Sequence, residues 1–238
     1  MQISWKWLSE IVDTTAVGGP VGLARMLTAR GLEVEEVRDL ALGLENVLTA
    51  RILTRNPHPQ ADRLSLCQVI TAEGGAPLEI VCGAQNMSAG DIVALAQVGA
   101  SLPNGLKIAQ SKIRGVTSNG MLCSPEELKI EDRVGKVDGI LIFPGGTEIG
   151  APVARILGLD DTVLTLKVTA NRGDCLSHFG IAREVAAALG LKLEKPGSVR
   201  PLPQGLEFRA STSTIAIGLD AEELAPQFWG VELEGVRI

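Results

Sequence analysis

The chain has 238 residues, of which 45% are hydrophobic and 21% charged, with a formal net charge of −6. This length accommodates one large domain or two small ones with separate cores, and the composition is that of an ordinary globular protein rather than a disordered chain. The negative balance argues against a free-standing, high-affinity nucleic-acid binder, because neutralising phosphates supplies most non-specific affinity; it leaves room for RNA contact through a local patch.

Aromatic residues are scarce at 3%, so packing must rest on Leu, Val, Ile and Ala. Cys67, Cys82, Cys123 and Cys175 are far apart and form no Cys-x-x-Cys pair. Buried, reduced thiols in a cytosolic protein are the expectation. Only His58 and His178 could join them around a metal, so no zinc site is expected. The opening MQISWKWLSEIVD lacks the long apolar core of a signal peptide and carries Lys6, Glu10 and Asp13. No run approaches the ~18 apolar residues needed to span a bilayer. The cytoplasm is the expected location, with no membrane partner.

Ser4 is placed to cap a helix in which Trp5, Leu8, Ile11 and Val12 share a face. Residues 13–19 break it. Pro20 suits the first turn of a second helix, whose apolar residues are Val21, Leu23, Ala24 and Leu27 and whose stop is Gly31. Leu32, Val34 and Val37 then suggest a strand, with Glu33, Glu35 and Glu36 in solvent. This unit exposes an apolar face that it cannot cover alone.

From Val47 the texture changes. Alternation over residues 47–53, a proline-rich bend at 57–59, a strand over 64–70 and a Gly74-Gly75 turn predict a β-hairpin system. Apolar runs at 80–82 and 92–95 alternate with turns at Gly83, Gly90, Gly99, Gly105, Gly115 and Gly120. Up to Ile142 this gives about five or six strands, the number an OB-type barrel requires. Val153, Ala154, Ile156 and Leu157 read as a short helical turn. Residues 163–169 alternate as a half-buried strand. Asp174 or Ser177 then caps a helix through Ile181, Val185, Ala188 and Leu189, ended by Gly190. These late elements supply the missing apolar strand and helix. The fold class expected is α+β: a discontinuous α+β domain built from residues 1–39 and 151–195, with an OB-fold β-barrel, residues 40–150, inserted between them. Residues 196–226 are rich in Pro, Ser, Thr and Gly, with a plausible strand over 213–219. The strand-like close APQFWGVELEGVRI suggests a domain cut at its start.

Several segments carry a family resemblance. NPHPQADRL, IVCGAQN, GASLPNGLKI and SKIRGVTSNGMLCSPEEL resemble the tRNA-binding domain of endothelial-monocyte-activating polypeptide and of bacterial phenylalanine–tRNA ligase β chains. ISWKWLSEIVD and GLEVEEV before them, and LKVTANRGDCLSHFGIAREVAAALG after them, resemble the N-terminal portion of the β chains alone. APQFWGVELEGVRI is similar to the opening of that family's editing domain, which hydrolyses mischarged Tyr-tRNA; no editing residue is carried over. The resemblance implies an N-terminal scaffold and accessory tRNA-binding region of a β chain that pairs with an α subunit in an (αβ)2 ligase. It implies that ATP and phenylalanine bind in the α chain, that the β-chain magnesium ligands lie beyond Ile238, and that these 238 residues hold no cofactor and no catalytic residue.

The candidate RNA-binding residues are Lys112, Arg114, Ser118, Asn119, Met121 and Ser124. Lys and Arg can meet phosphates, Ser and Asn can bond sugar or base edges, and an exposed Met can pack on a base. The segment also reads as pure structure: Gly120 permits a tight turn, Met121 and Leu122 enter the core, and Ser124 caps a helix with Glu127 three residues on. Residues 40–150 hold nine basic and eleven acidic side chains and neither Tyr nor Trp. A barrel gripping single-stranded RNA by itself shows a basic groove with aromatic platforms, so any contact is expected to be weak and auxiliary. A second polar cluster, Asn171, Arg172, Asp174 and His178, suits a strand-to-helix turn better than a catalytic set. The alternatives are a stand-alone tRNA-binding or chaperone-like OB-fold protein, and a hydrolase centred on Cys175 or His178, for which the spacing offers no support.

Overall fold

The computed structural model describes residues 1–193, as helices packed on antiparallel sheets. The predicted linker and closing strand beyond Glu194 lie outside the described residues. Strand β1 (Gln2–Ser4) runs directly into helix α1 (Trp5–Ile11). Ser4 makes the joint, its hydroxyl accepting the Trp7 N–H as an N-cap does. A 3-10 turn at Thr15–Val17, which no periodicity foretells, leads to α2 (Gly19–Ala29), with Pro20 in its first turn as expected. Strand β2 (Glu33–Asp39) follows, its glutamates exposed.

The central segment then forms β3 (Val47–His58), β4 (Ala61–Ile70), β5 (Leu78–Cys82), β6 (Ile92–Gln97), β7 (Ser111–Ile113), β8 (Val116–Ser118), β9 (Gly120–Leu122), a single helical turn α3 (Glu131–Val134) and β10 (Ile142–Phe143). The bend expected at 57–59 contracts to a turn after His58, because β3 pairs with β4 through Pro57 and continues past a register shift. The described residues close with α4 (Val153–Ile156), β11 (Thr162–Lys167) and α5 (His178–Leu189). Ser177, not Asp174, caps α5, and Gly190 ends it in a left-handed conformation.

Strand pairing separates flanks from centre. In the first sheet β11 lies between β1 and β2, antiparallel to both. The second runs β10-β6-β3-β4-β5, with β9 also on β6. One edge of β6 pairs with β3; the other is shared end to end by β10, at Ile92–Val93, and β9, at Leu95–Gln97. Strands β7 and β8 form a separate ribbon. The expected barrel is not closed by a continuous ladder. The gap beside β5 is crossed by the Asn119 N–H, which donates to the Glu79 carbonyl, and by the Ser118 hydroxyl, which accepts the Val81 N–H.

Three apolar clusters follow the same division. Ile3, Leu8, Leu23, Leu27, Leu164 and Ile181 pack together from both ends of the described chain. The centre has two clusters because β6 is buried on both faces: Ile92, Ala94 and Ala96 meet Leu128, Phe143 and Val153, while Val93 and Leu95 meet Ile52, Val69 and Ile80. A strand covered on both sides reads as a continuous apolar run, as IVALA does. Among the described residues no helix is long and apolar enough to cross a membrane.

Leu164 is fully buried on the central strand of the flanking sheet. Leu164→Ala is expected to lower unfolding stability by about 2–5 kcal/mol, read from urea denaturation. A cost below about 1 kcal/mol would mean that β11 does not organise this core.

Candidate nucleic-acid interface

The ribbon of β7 and β8 carries the two candidate cations. Its strands pair Ser111 with Ser118, Lys112 with Thr117 and Ile113 with Val116, so Arg114 and Gly115 form a two-residue turn. Both have positive φ, 47° and 91°, as a type I′ turn requires. Gly115 adopts this freely; Arg114 does so at a cost of about 1 kcal/mol. Lys112 and Arg114 are exposed.

The other predicted residues behave differently. Ser118 is buried, its hydroxyl accepting from Val81 N–H and donating to the Gly120 carbonyl, both at 3.0 Å. Asn119 accepts from the Gln110 amide through its side-chain oxygen at 2.7 Å. Met121 is half-buried, pairs with Ala96 and packs on the central core. Ser124 and Glu127 form the expected reciprocal box: the carboxylate accepts from the Ser124 N–H and hydroxyl, and the Glu127 N–H donates to that hydroxyl. The helix predicted beyond it does not form. Lys129 turns left-handed (φ 52°) and stops the chain after one turn.

A groove of about 700 Å3 lies beside the ribbon. Ser111 and Ile113 edge it, Val81, Gly120 and Met121 line its floor, and Lys107 adds a cation. Glu126, Glu127 and Asp138 also line it. A neighbouring depression of about 500 Å3 is lined by Glu126, Glu127, Glu131 and Asp132, with Lys129. Acids outnumber cations in both linings, while Lys112 and Arg114 of the ribbon are exposed outside them.

Two side chains absent from the sequence-level site hold the groove's edges. His58, 5% exposed, accepts the Gln60 N–H at Nδ1 (3.1 Å), so its neutral ring carries the proton on Nε2 and donates it to the Ile113 carbonyl at 3.3 Å. The Asn86 amide donates to the Ile140 carbonyl (2.9 Å) and accepts the Ile140 N–H (3.1 Å). Gly139 sits against it at φ 122°, where a Cβ would fall 2.1 Å from the Asn86 amide oxygen. The only signal in the sequence is the HP segment itself, and periodicity says nothing about what His58 faces.

The second polar cluster is a closed structural knot. Arg172 reaches both oxygens of Asp174 at 3.1 Å, Glu184 at 2.6 Å and the Cys175 sulfur at 2.9 Å. The Arg172 hydrogen bond holds the Asp174 carboxyl down at about 2. Asp174, Cys175 and Glu184 bring ligand atoms within 4.8 Å of one another, but the guanidinium occupies the position a cation would take. Burial pushes the Cys175 thiol up. His178 is elsewhere engaged, its Nε2 accepting the Ser4 N–H at 2.9 Å and its ring stacked on Trp7 at 3.9 Å. The nucleophile–base pairing a Cys–His hydrolase needs is therefore not formed. The four cysteines are free and buried, as expected; burial raises Cys67 to about 11 and Cys123 to about 12, so neither is a ready nucleophile.

Residues 47–152, the central sheet with its ribbon and groove, match the family described as "Putative tRNA binding domain". The chain thus carries a domain of the tRNA-binding class. Over its whole length it is 47% identical to the phenylalanine–tRNA ligase beta subunit of Anaeromyxobacter dehalogenans, and 45% identical to that of Bdellovibrio bacteriovorus, covering 28% of each. Along its whole length the chain is similar to phenylalanine–tRNA ligase beta subunits, and it spans a little over a quarter of the length of these relatives. Among solved structures, a Naegleria gruberi RNA ligase aligns at a TM-score of 0.33 and 14% identity, over 53% of this chain and 36% of that one, too slight a likeness to carry an argument.

His178 gives the flanking core a pH signature. Burial holds its imidazole below the usual value, against the opposing pull of Asp161. The unfolded chain therefore takes up this proton first as pH falls, so the contribution is complete above about pH 6.5 and is lost below it, toward the depressed folded value. Melting temperature is expected to drop more steeply between pH 7 and 5 in the parent than in His178→Gln. Parallel curves would contradict this.

Proposed function

We propose that this chain is the N-terminal scaffold and accessory tRNA-binding region of a phenylalanine–tRNA ligase β chain, supporting ATP-dependent attachment of phenylalanine to tRNA by the assembled enzyme. The observation that carries this reading is the full-length match to β subunits. It runs through both flanks as well as the central sheet, whereas a stand-alone tRNA-binding or chaperone-like protein would resemble them across the sheet alone. In this reading residues 1–39 and 151–195 are a discontinuous α+β domain, residues 40–150 an inserted OB-fold domain, and residues 196–238 a linker and the start of an editing-type domain. The insertion is supported by the close approach of its ends: Asp39 pairs with Thr162, and the Leu40 N–H donates to the Asp161 carbonyl.

The partners are tRNA and an α subunit in a cytoplasmic (αβ)2 assembly, in which ATP and magnesium belong to the whole enzyme. Lys112 and Arg114 meet phosphates, and Met121 offers an apolar contact to a base at the groove floor. Ser118 and Ser124 serve chiefly to hold the backbone, since their hydroxyls are already bonded within the chain. The acidic far side and the lack of stacking Tyr or Trp make the grip weak, with a dissociation constant on the order of 10–100 µM at low salt. Ligation requires the α chain and the remainder of β.

Replacing both cations, Lys112→Ala with Arg114→Gly, is expected to weaken tRNA binding by about tenfold at 50 mM salt and to flatten the dependence of log affinity on log salt by about 1.4 to 1.8. The same double variant should melt no lower than the parent, because glycine relieves the left-handed strain at Arg114. Unchanged affinity and slope in a fluorescence titration with tRNA would remove the ribbon from the interface.

A further inference from the structure

The geometry points to His58 as a positioning residue for tRNA, the strut that fixes the ribbon tip so that Lys112 and Arg114 engage the backbone together. This rests on the tRNA-binding reading and adds a residue to it. The ribbon has only three residue pairs, and a two-stranded ribbon of that size is marginal by itself. Its base is anchored on β5 through Ser118 and Asn119. At its tip, the described hydrogen bond that reaches another part of the chain is His58 Nε2–H to the Ile113 carbonyl.

That carbonyl belongs to the peptide joining Ile113 to Arg114, with Lys112 one residue before. Fixing it orients the stems of both cations at once. The two turns also abut: a Cβ on Gly115 would lie 3.5 Å from the Gln60 side-chain oxygen. His58 is held from the other side by the Gln60 N–H and is almost fully buried, so it is a rigid post between two turns rather than a ligand for RNA. Across the groove Asn86 does the same for Ile140. The buried His58 and the exposed Asn86 therefore hold the backbone at Ile113 and Ile140, two residues that line the same groove. Preorganising two cations removes ordering costs from each binding event, so losing the strut weakens both contacts without removing either charge.

The test is a salt series with tRNA on the 238-residue chain, comparing His58→Gln with His58→Asn. The longer glutamine places an amide donor near the position of Nε2 and reaches Ile113; the shorter asparagine reproduces only the Nδ1 position facing Gln60. Asparagine is expected to weaken binding by about three- to tenfold and to make the salt slope shallower by about one phosphate contact, while glutamine stays within about twofold of the parent. Gly115→Ala, which strains the tip from the ribbon side at φ 91°, is expected to match asparagine. Parent-like affinity and slope in both His58→Asn and Gly115→Ala, with the Lys112/Arg114 double variant weakened, would overturn the strut and leave the tRNA-binding reading intact. Equal weakening by Asn and Gln at an unchanged slope would also overturn it, as general destabilisation. No effect from the Lys112/Arg114 double variant would instead defeat the underlying reading.

Discussion

The placement of β11 between β1 and β2 is the constraint on which the rest of this structure depends. Neither N-terminal strand bonds the other; each is completed by a segment more than 120 residues away. Leu164 and Leu166 supply the apolar layer that α1, α2 and α5 need. The polar seam agrees with the apolar one. Ser4 caps α1, donates its hydroxyl proton to Asp161, and donates its backbone N–H to His178, so one residue joins three parts of the sheet-and-helix unit. Asp161 accepts from the Lys6 and Thr162 N–H groups as well, which makes the start of α1 and the start of β11 a single hydrogen-bonded joint.

This arrangement explains how a large central segment can be accommodated. Asp39 and Thr162 are ladder partners, so the chain leaves the flanking sheet and returns to it at the same place. Loop-closure entropy rises only with the logarithm of the enclosed length, so about 120 residues between those points cost little more than a short loop would. What the insertion must do is fold on its own terms, and its two apolar clusters on either face of β6 give it the means. The flanking cluster, by contrast, draws none of its buried members from the central strands.

Legibility in the sequence followed the range of the interaction. Helix ends are local events, and Ser4, Pro20, Ser177 and Gly190 marked them by their chemistry alone. Strands of five or more residues showed as apolar runs or alternation. Strands of two or three residues, such as β1 and β10, exist only because a distant edge accepts them, and no pattern within so short a span can announce that. The same division holds at the interface. The exposed position of Lys112 and Arg114 was legible because a charge at a turn needs no partner. The burial of Ser118 was not legible, because its partner, the Val81 N–H, is 37 residues away. The Ser124–Glu127 box was legible as a motif, but the helix it normally opens was stopped by the left-handed backbone at Lys129.

The charge layout gives the proposed interface a direction as well as a strength. In the proposed interface Lys112 and Arg114 draw phosphates to the ribbon, while Glu126, Glu127 and Asp138 in the groove repel them. A nucleic-acid strand laid along the ribbon can turn a base toward the apolar floor at Val81 and Met121, where carboxylates opposite can accept from exocyclic amino groups. A second phosphate backbone on the acidic side would meet only repulsion, screened over about 8–10 Å at ordinary ionic strength. The surface therefore suits one exposed strand or one edge of a folded RNA held elsewhere, and two cations without an aromatic platform cannot do the holding. In the proposed function the domain biases how a tRNA lies, while its retention belongs to the rest of an assembled enzyme.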